Sequence, residues 1–142
     1  MTTQSRTLVL LGSATWCAAI VSAPLLNTGW LYSFFSAICH QDPARSWSLA
    51  GNPLPVCIRC TSIYFGFFLA ALVRRRPNYR FLEIAVAATI LEVVLAVTYW
   101  DSAWLRSLTG AALGAAVSPF VNLGVSQLLE RWRAAEAEHG SL

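Results

Sequence analysis

Residues 81–99 read FLEIAVAATILEVVLAVTY. Apolar side chains occupy every face of a helix drawn through them, so no side is left for water. A membrane-spanning helix needs about 20 predominantly apolar residues, and this stretch supplies them. Three more segments meet the same condition: Leu8–Leu26, Val56–Val73 and about Trp104–Leu129. The second of these opens just after Pro55, a residue suited to a first helical turn because its missing N–H would be unpaired there anyway. The last contains Pro119, which predicts a kink. The expected fold is an all-α, four-helix transmembrane bundle, a single integral membrane domain over residues 1–142.

Composition agrees with that reading. The 142 residues are 56% hydrophobic and 12% charged, with a mean hydropathy of +0.55. A soluble domain carries about 25% charged residues, so an ordinary soluble enzyme and a disordered tail are both excluded. The net charge of +3 is small, and no basic residues alternate with aromatics along a stripe, which argues against nucleic acid. The bilayer is the expected partner, with a homo-oligomer or a second membrane protein as further possibilities. Four spans are few for a transporter.

The first apolar segment also resembles a signal peptide, since Arg6 precedes it and Val21-Ser22-Ala23 resembles a cleavage site. Pro24 would follow the cut and block processing, so the segment is read as a helix. Every basic residue is an arginine, and their distribution sets direction. Arg6, Arg74, Arg75, Arg76, Arg80, Arg131 and Arg133 fall on one side of the expected spans, and Arg45, Arg59 and Arg106 on the other. The richer side is expected to be cytoplasmic, with both termini inside. Trp30, Tyr32, Tyr99, Trp100 and Trp104 then form an outer aromatic belt, and Trp132 marks the inner interface. Small residues recur every fourth position at Ser62, Gly66 and Ala70 and at Gly110, Gly114 and Ser118. Each series lines one helix face and lets a neighbour approach closely.

The chemically unusual residues lie between spans one and two. Asn27-Thr28-Gly29 reads as a turn, and Trp30, Leu31, Phe34, Phe35 and Ile38 repeat at helical spacing, as in a short helix lying in the interface. This leads to Cys39-His40-Gln41, the turn Asp42-Pro43, a polar loop through Gly51-Asn52-Pro53, and then Cys57-Ile58-Arg59-Cys60. Cys57 and Cys60 are three apart at a helix start, where unpaired N–H groups and the helix dipole favour thiolates. Cys39 and His40 would complete four ligands for zinc or iron, with copper also compatible, although adjacent side chains usually point apart. A disulfide among these cysteines, or inert buried thiols, are the competing readings. Cys17, midway along span one, reads as a packing residue, and His139 as solvated.

Glu92 lies near the middle of the third span, where a carboxylate costs a few kcal/mol unless paired or neutralised. It is a functional candidate on that ground, with a packing role for a protonated acid as the alternative. Glu83 is expected to pair with Arg80. Tyr64 lies at a depth similar to Glu92, and Arg106 is long enough to reach inward. A polar pocket is expected, with the cysteines at its mouth, Arg106 on its wall, and Tyr64 and Glu92 at its floor. Arg59 and Arg106 would offset thiolate charge or hold an anionic or quinone-like ligand.

The run Cys39-His40-Gln41-x-Pro43-x-Arg45-Ser46-Trp47, then Pro55-Val56-Cys57-x-Arg59-Cys60-Thr61-x-Ile63-Tyr64-x-Gly66, resembles a domain-of-unknown-function family of small prokaryotic membrane proteins. A weaker likeness continues to Arg106-x-x-Thr109-Gly110. Ser62 stands where that family usually has Gly, and Glu92 falls about where it tends to have Asp-Gly. The resemblance implies that Cys39, His40, Arg45, Cys57, Arg59, Cys60, Tyr64 and Arg106 act as one constellation. Three functions are compatible with it: a membrane protein with a metal centre, a quinone-linked thiol–disulfide oxidoreductase, and an assembly subunit whose cluster pins the loop.

Overall fold

The computed structural model describes residues 3–73, 76–98 and 102–139, with side chains to residue 136. Arg74, Arg75, Tyr99 and Trp100 and the side chain of His139 lie outside the described residues. Among the described residues there are five α-helices: α1 (Thr3–Leu26), α2 (Gly29–Ser36), α3 (Ile58–Leu72), α4 (Tyr79–Thr98) and α5 (Ala103–His139). Between α2 and α3 lie a 3₁₀ turn at Pro43–Arg45 and a two-stranded antiparallel ribbon, β1 (Ser48–Leu49) with β2 (Asn52–Pro53).

Helices α1, α4 and α5 are long and apolar enough to cross a membrane. The shorter α3 has 15 residues, about 22 Å at 1.5 Å per residue, against a hydrocarbon core of about 30 Å. It begins two residues later than Pro55 suggests. Cys57 stays extended at φ −66°, ψ 162° and acts as the N-cap, so Pro55 and Val56 form a buried approach to the helix. Local chemistry starts the next two helices. The Asn78 side chain accepts from the Phe81 N–H at 3.3 Å, and Ser102 Oγ accepts from the Leu105 N–H at 3.5 Å, as N-caps do. The assigned α5 runs through Pro119 without interruption.

Successive long helices run in opposite directions. Arg6 near the start of α1 donates to the Leu72 carbonyl at the end of α3 at 2.6 Å, and Arg133 late in α5 donates to Gln4. One end of the bundle therefore gathers both terminal regions, and the cysteine loop caps the other.

Small residues allow α3 and α5 to touch backbone to backbone. A Cβ built on Gly66 would run into the Ala111 backbone, one on Gly114 into the Ile63 carbonyl, and one on Gly110 would sit 2.8 Å from the Arg59 carbonyl oxygen. Both small-residue ladders meet across this contact, as their spacing requires. Helix α4 packs more lightly: Ala85 and Glu92 are buried, seven residues apart, while Ile84, Ile90, Leu91, Val94 and Val97 are exposed. Apolar side chains on such a face need lipid rather than water.

Candidate metal centre

Ile20, Ala23, Leu31, Phe35, Leu54 and Val56 form a buried cluster joining α1, α2 and the approach to α3. Trp16 packs edge-on to Phe35 at 5.4 Å. The loop is tied to this base by polar contacts. Tyr32 Oη donates to the Pro53 carbonyl at 2.6 Å, Gln41 Nε2 to the Tyr32 carbonyl at 2.6 Å, and Asn52 Nδ2 to the Pro24 carbonyl at 3.1 Å. The ribbon reverses at Ala50 and Gly51, with φ of 52° and 84°. Two consecutive left-handed residues give the turn that matches the twist of a hairpin. Asp42 caps the 3₁₀ turn by accepting from the Ala44 N–H at 3.0 Å.

This anchoring brings Cys39 over the start of α3. The sulfurs of Cys39, Cys57 and Cys60 all lie within 4.8 Å of one another. The Cys57 N–H donates to Cys39 Sγ at 3.2 Å. Around zinc, Zn–S bonds of about 2.3 Å put tetrahedral sulfurs about 3.8 Å apart. The three cysteines, with sulfurs no more than 4.8 Å apart, thus match three corners of such a site after a contraction of at most about 1 Å. All four cysteines of the chain are free thiols, and Cys17 is buried in α1.

His40 stands apart from the sulfur group. It is exposed and lines a cavity of about 510 Å³ together with Asp42, Arg45, Cys57, Arg59 and Arg106. Residues 39 and 40 diverge as consecutive side chains do. Below the cavity, Glu92 is 3% exposed and sits between two guanidiniums. Arg59 forms an ion pair and hydrogen bond with Glu92 Oε2, and Arg106 Nε lies 3.7 Å from Oε1. Arg106 reaches inward as its length allows, and its side chain is 6% exposed. The pairing of Arg59 with Glu92 is new relative to the sequence reading.

Tyr64 does not join the Glu92 floor. It packs against the α1–α2 cluster alongside Cys39 and Cys60, edge-on to Trp16 at 5.7 Å. There it lines a separate apolar groove with Val9, Trp16 and Phe67. Arg45 is exposed and pairs with Asp42 at 3.6 Å.

Three helices long and apolar enough to cross a bilayer give the described residues the character of a membrane protein. Residues 39–120 match the family described as predicted membrane protein DUF2085, and the chain belongs to that family. The match begins at Cys39 and takes in the three sulfurs, the Arg59–Glu92–Arg106 group and the glycine contact between α3 and α5. An uncharacterised protein of Methanothermobacter thermautotrophicus is 45% identical over 62 residues, covering 44% of this chain and 50% of that protein. An uncharacterised protein of Methanocaldococcus jannaschii is 42% identical over 43 residues, covering 30% of this chain and 28% of that protein. The matched regions thus span half or less of the relatives' length. No solved structure matches.

Proposed function

We propose that the protein is a four-span membrane protein whose Cys39, Cys57 and Cys60 hold one metal ion, zinc or iron, at the loop end of the bundle. The approach of three sulfurs to within 4.8 Å carries this reading. Thiolate ligands suit both ions. The fourth position is filled by His40 through a rearrangement of the loop, or stays open toward the cavity that Cys57 lines. An open position is the mark of a catalytic or ligand-binding zinc site, and a closed one of a structural site. Elemental analysis of detergent-purified protein tests the proposal. About one metal per chain is expected in the wild type, with loss in Cys57→Ser and in Cys60→Ser and release of thiols by a chelator. Full metal content in both variants would overturn it.

The quinone-linked thiol–disulfide reading draws on the same three sulfurs, which are free thiols gathered close enough to exchange with one another. Trapping Cys39 in a mixed disulfide with another protein would move it ahead of the metal reading.

The four-span topology treats α3 together with the buried Leu54–Val56 approach as the second crossing. Helix α2 lies in the interface in this arrangement, with Trp30 and Phe34 exposed on one side and Leu31 and Phe35 buried on the other. Arginine placement puts both termini in the cytoplasm and the cysteines outside. A reporter enzyme fused after Leu142 is expected to read as cytoplasmic, and an extracytoplasmic signal would invert the topology and with it the redox surroundings of the sulfurs.

A further inference from the structure

The cavity beside Cys57 has two unlike walls. Arg45, Arg59 and Arg106 contribute three basic residues to its lining, Arg45 paired with Asp42 and the other two sharing Glu92, and His40 and Asp42 join them from the loop. Val93, Ala96 and Val97 of α4 form the other side and offer no polar side chain. At about 510 Å³ it falls within the range of small-molecule sites, about 300–1,000 Å³. Arginine forks match phosphate oxygens in pairs, which a point-charge ammonium does not. Arg59 lines the cavity with a side chain that is 27% exposed, although one nitrogen of its guanidinium holds Glu92.

The apolar wall does not end at the cavity. Val97, which lines it, is 81% exposed, so the space opens sideways past α4 onto the surface that lipid covers. From there Val93, Ile90 and Val86 continue along α4 as exposed apolar residues, a track of about 16 Å at 1.5 Å per residue. A soluble anion would use the arginines and leave this wall without purpose. A molecule with a phosphate head and an apolar body uses both.

We infer that the cavity binds the phosphate headgroup of an anionic lipid, with its apolar body along Val93, Ala96 and Val97. The inference rests on the membrane reading and not on the metal. It also places the lipid head beside Cys57, where it would reach an open metal position if the proposed ion is present.

The test uses full-length protein in neutral detergent and three probes: dihexanoyl phosphatidic acid, dihexanoyl glycerol lacking the phosphate, and inorganic phosphate. Binding is read by native mass spectrometry and by thermal shift, with metal content measured on the same samples. Phosphatidic acid is expected to bind at least about tenfold tighter than dihexanoyl glycerol, which lacks the charge-assisted hydrogen bonds, and at least about tenfold tighter than inorganic phosphate, which lacks the apolar body. Arg45→Gln, at an exposed loop position, and Arg59→Lys, which keeps a cation beside Glu92 but loses the fork, are each expected to weaken phosphatidic acid about fivefold or more. Equal binding of phosphatidic acid and dihexanoyl glycerol, or unchanged phosphatidic acid binding in both variants, would overturn the headgroup site. Inorganic phosphate binding as tightly as phosphatidic acid would overturn the lipid and assign a free oxyanion instead. Metal-free protein that still selects phosphatidic acid would separate failure of the metal proposal from failure of this one.

Discussion

Glu92→Gln is expected to destabilise the protein by about 3–5 kcal/mol, the usual consequence of removing one partner from a buried ion pair. The substitution keeps the shape of the side chain and removes only its charge. Arg106, 5% exposed, then keeps a guanidinium in a sealed position, facing an amide. Arg59 is better placed to recover, because its side chain is 27% exposed and water can screen it. At about 2–4 °C per kcal/mol for a chain of this size, Glu92→Gln should lower the thermal midpoint in detergent by about 10 °C. A double Glu92→Leu, Arg106→Leu variant should regain much of the loss, because an apolar pair in place of a buried ionic one is often neutral or better. An unchanged midpoint in Glu92→Gln would show that the three charges do not stabilise the fold, and Glu92 would have to be explained by its chemistry alone.

Helical spacing explains both what the sequence made visible here and what it concealed. The ladders of small residues could be read directly, because a four-residue repeat puts Gly66 and Gly114 on single faces and close packing follows. Glu92 stood out by being ionisable in an apolar run. Its principal partner was less obvious, because Arg59 lies between two cysteines and was grouped with them. At 100° per residue, Cys60 and its neighbour Arg59 leave α3 in directions about 100° apart. The Cys60 sulfur and the Arg59 guanidinium therefore leave different faces of α3, while Cys57, the N-cap, reaches the charged cavity. The same rotation separates Tyr64 from Glu92: four residues after Cys60, it follows the sulfur face toward Trp16. The single pocket expected from depth alone divides into an apolar groove and a charged cavity on either side of α3. Depth was legible from counting residues, and so was the angle that splits the pocket. The ribbon at Ser48–Pro53 left a weaker trace. Its strands are two residues each, too short for alternation to register, and only Gly51-Asn52-Pro53 marked a turn.

Gly114→Ala should be among the most damaging single-methyl additions in the chain, and Gly114→Leu should prevent correct assembly. The added Cβ would collide with the Ile63 carbonyl and lie 2.8 Å from the Phe67 amide nitrogen. These are backbone atoms in the middle of a helix, so no side chain can rotate aside and α3 must move as a body. Overpacking usually costs about 1–3 kcal/mol, and a backbone obstacle places the alanine at or beyond the top of that range. Lipid tails offer no hydrophobic penalty for separated helices, so their association depends on close packing. Pushing α3 from α5 therefore weakens the whole contact. The consequence reaches the site because the first turn of α3 carries Arg59 and Cys60, whereas α5 carries Arg106. Gly114→Leu should accordingly lose metal along with thermal stability, without touching a ligand. Gly12→Ala is the matched control: nothing lies within 4 Å of its new Cβ, and an alanine in a helix interior gains up to about 1 kcal/mol over glycine. Thermal unfolding in detergent and metal content, measured on both variants, separate the cases. If Gly114→Leu melts and binds metal as Gly12→Ala does, α3 and α5 do not meet backbone to backbone. The sulfurs and the buried charges would then need some other element to hold them at their present spacing.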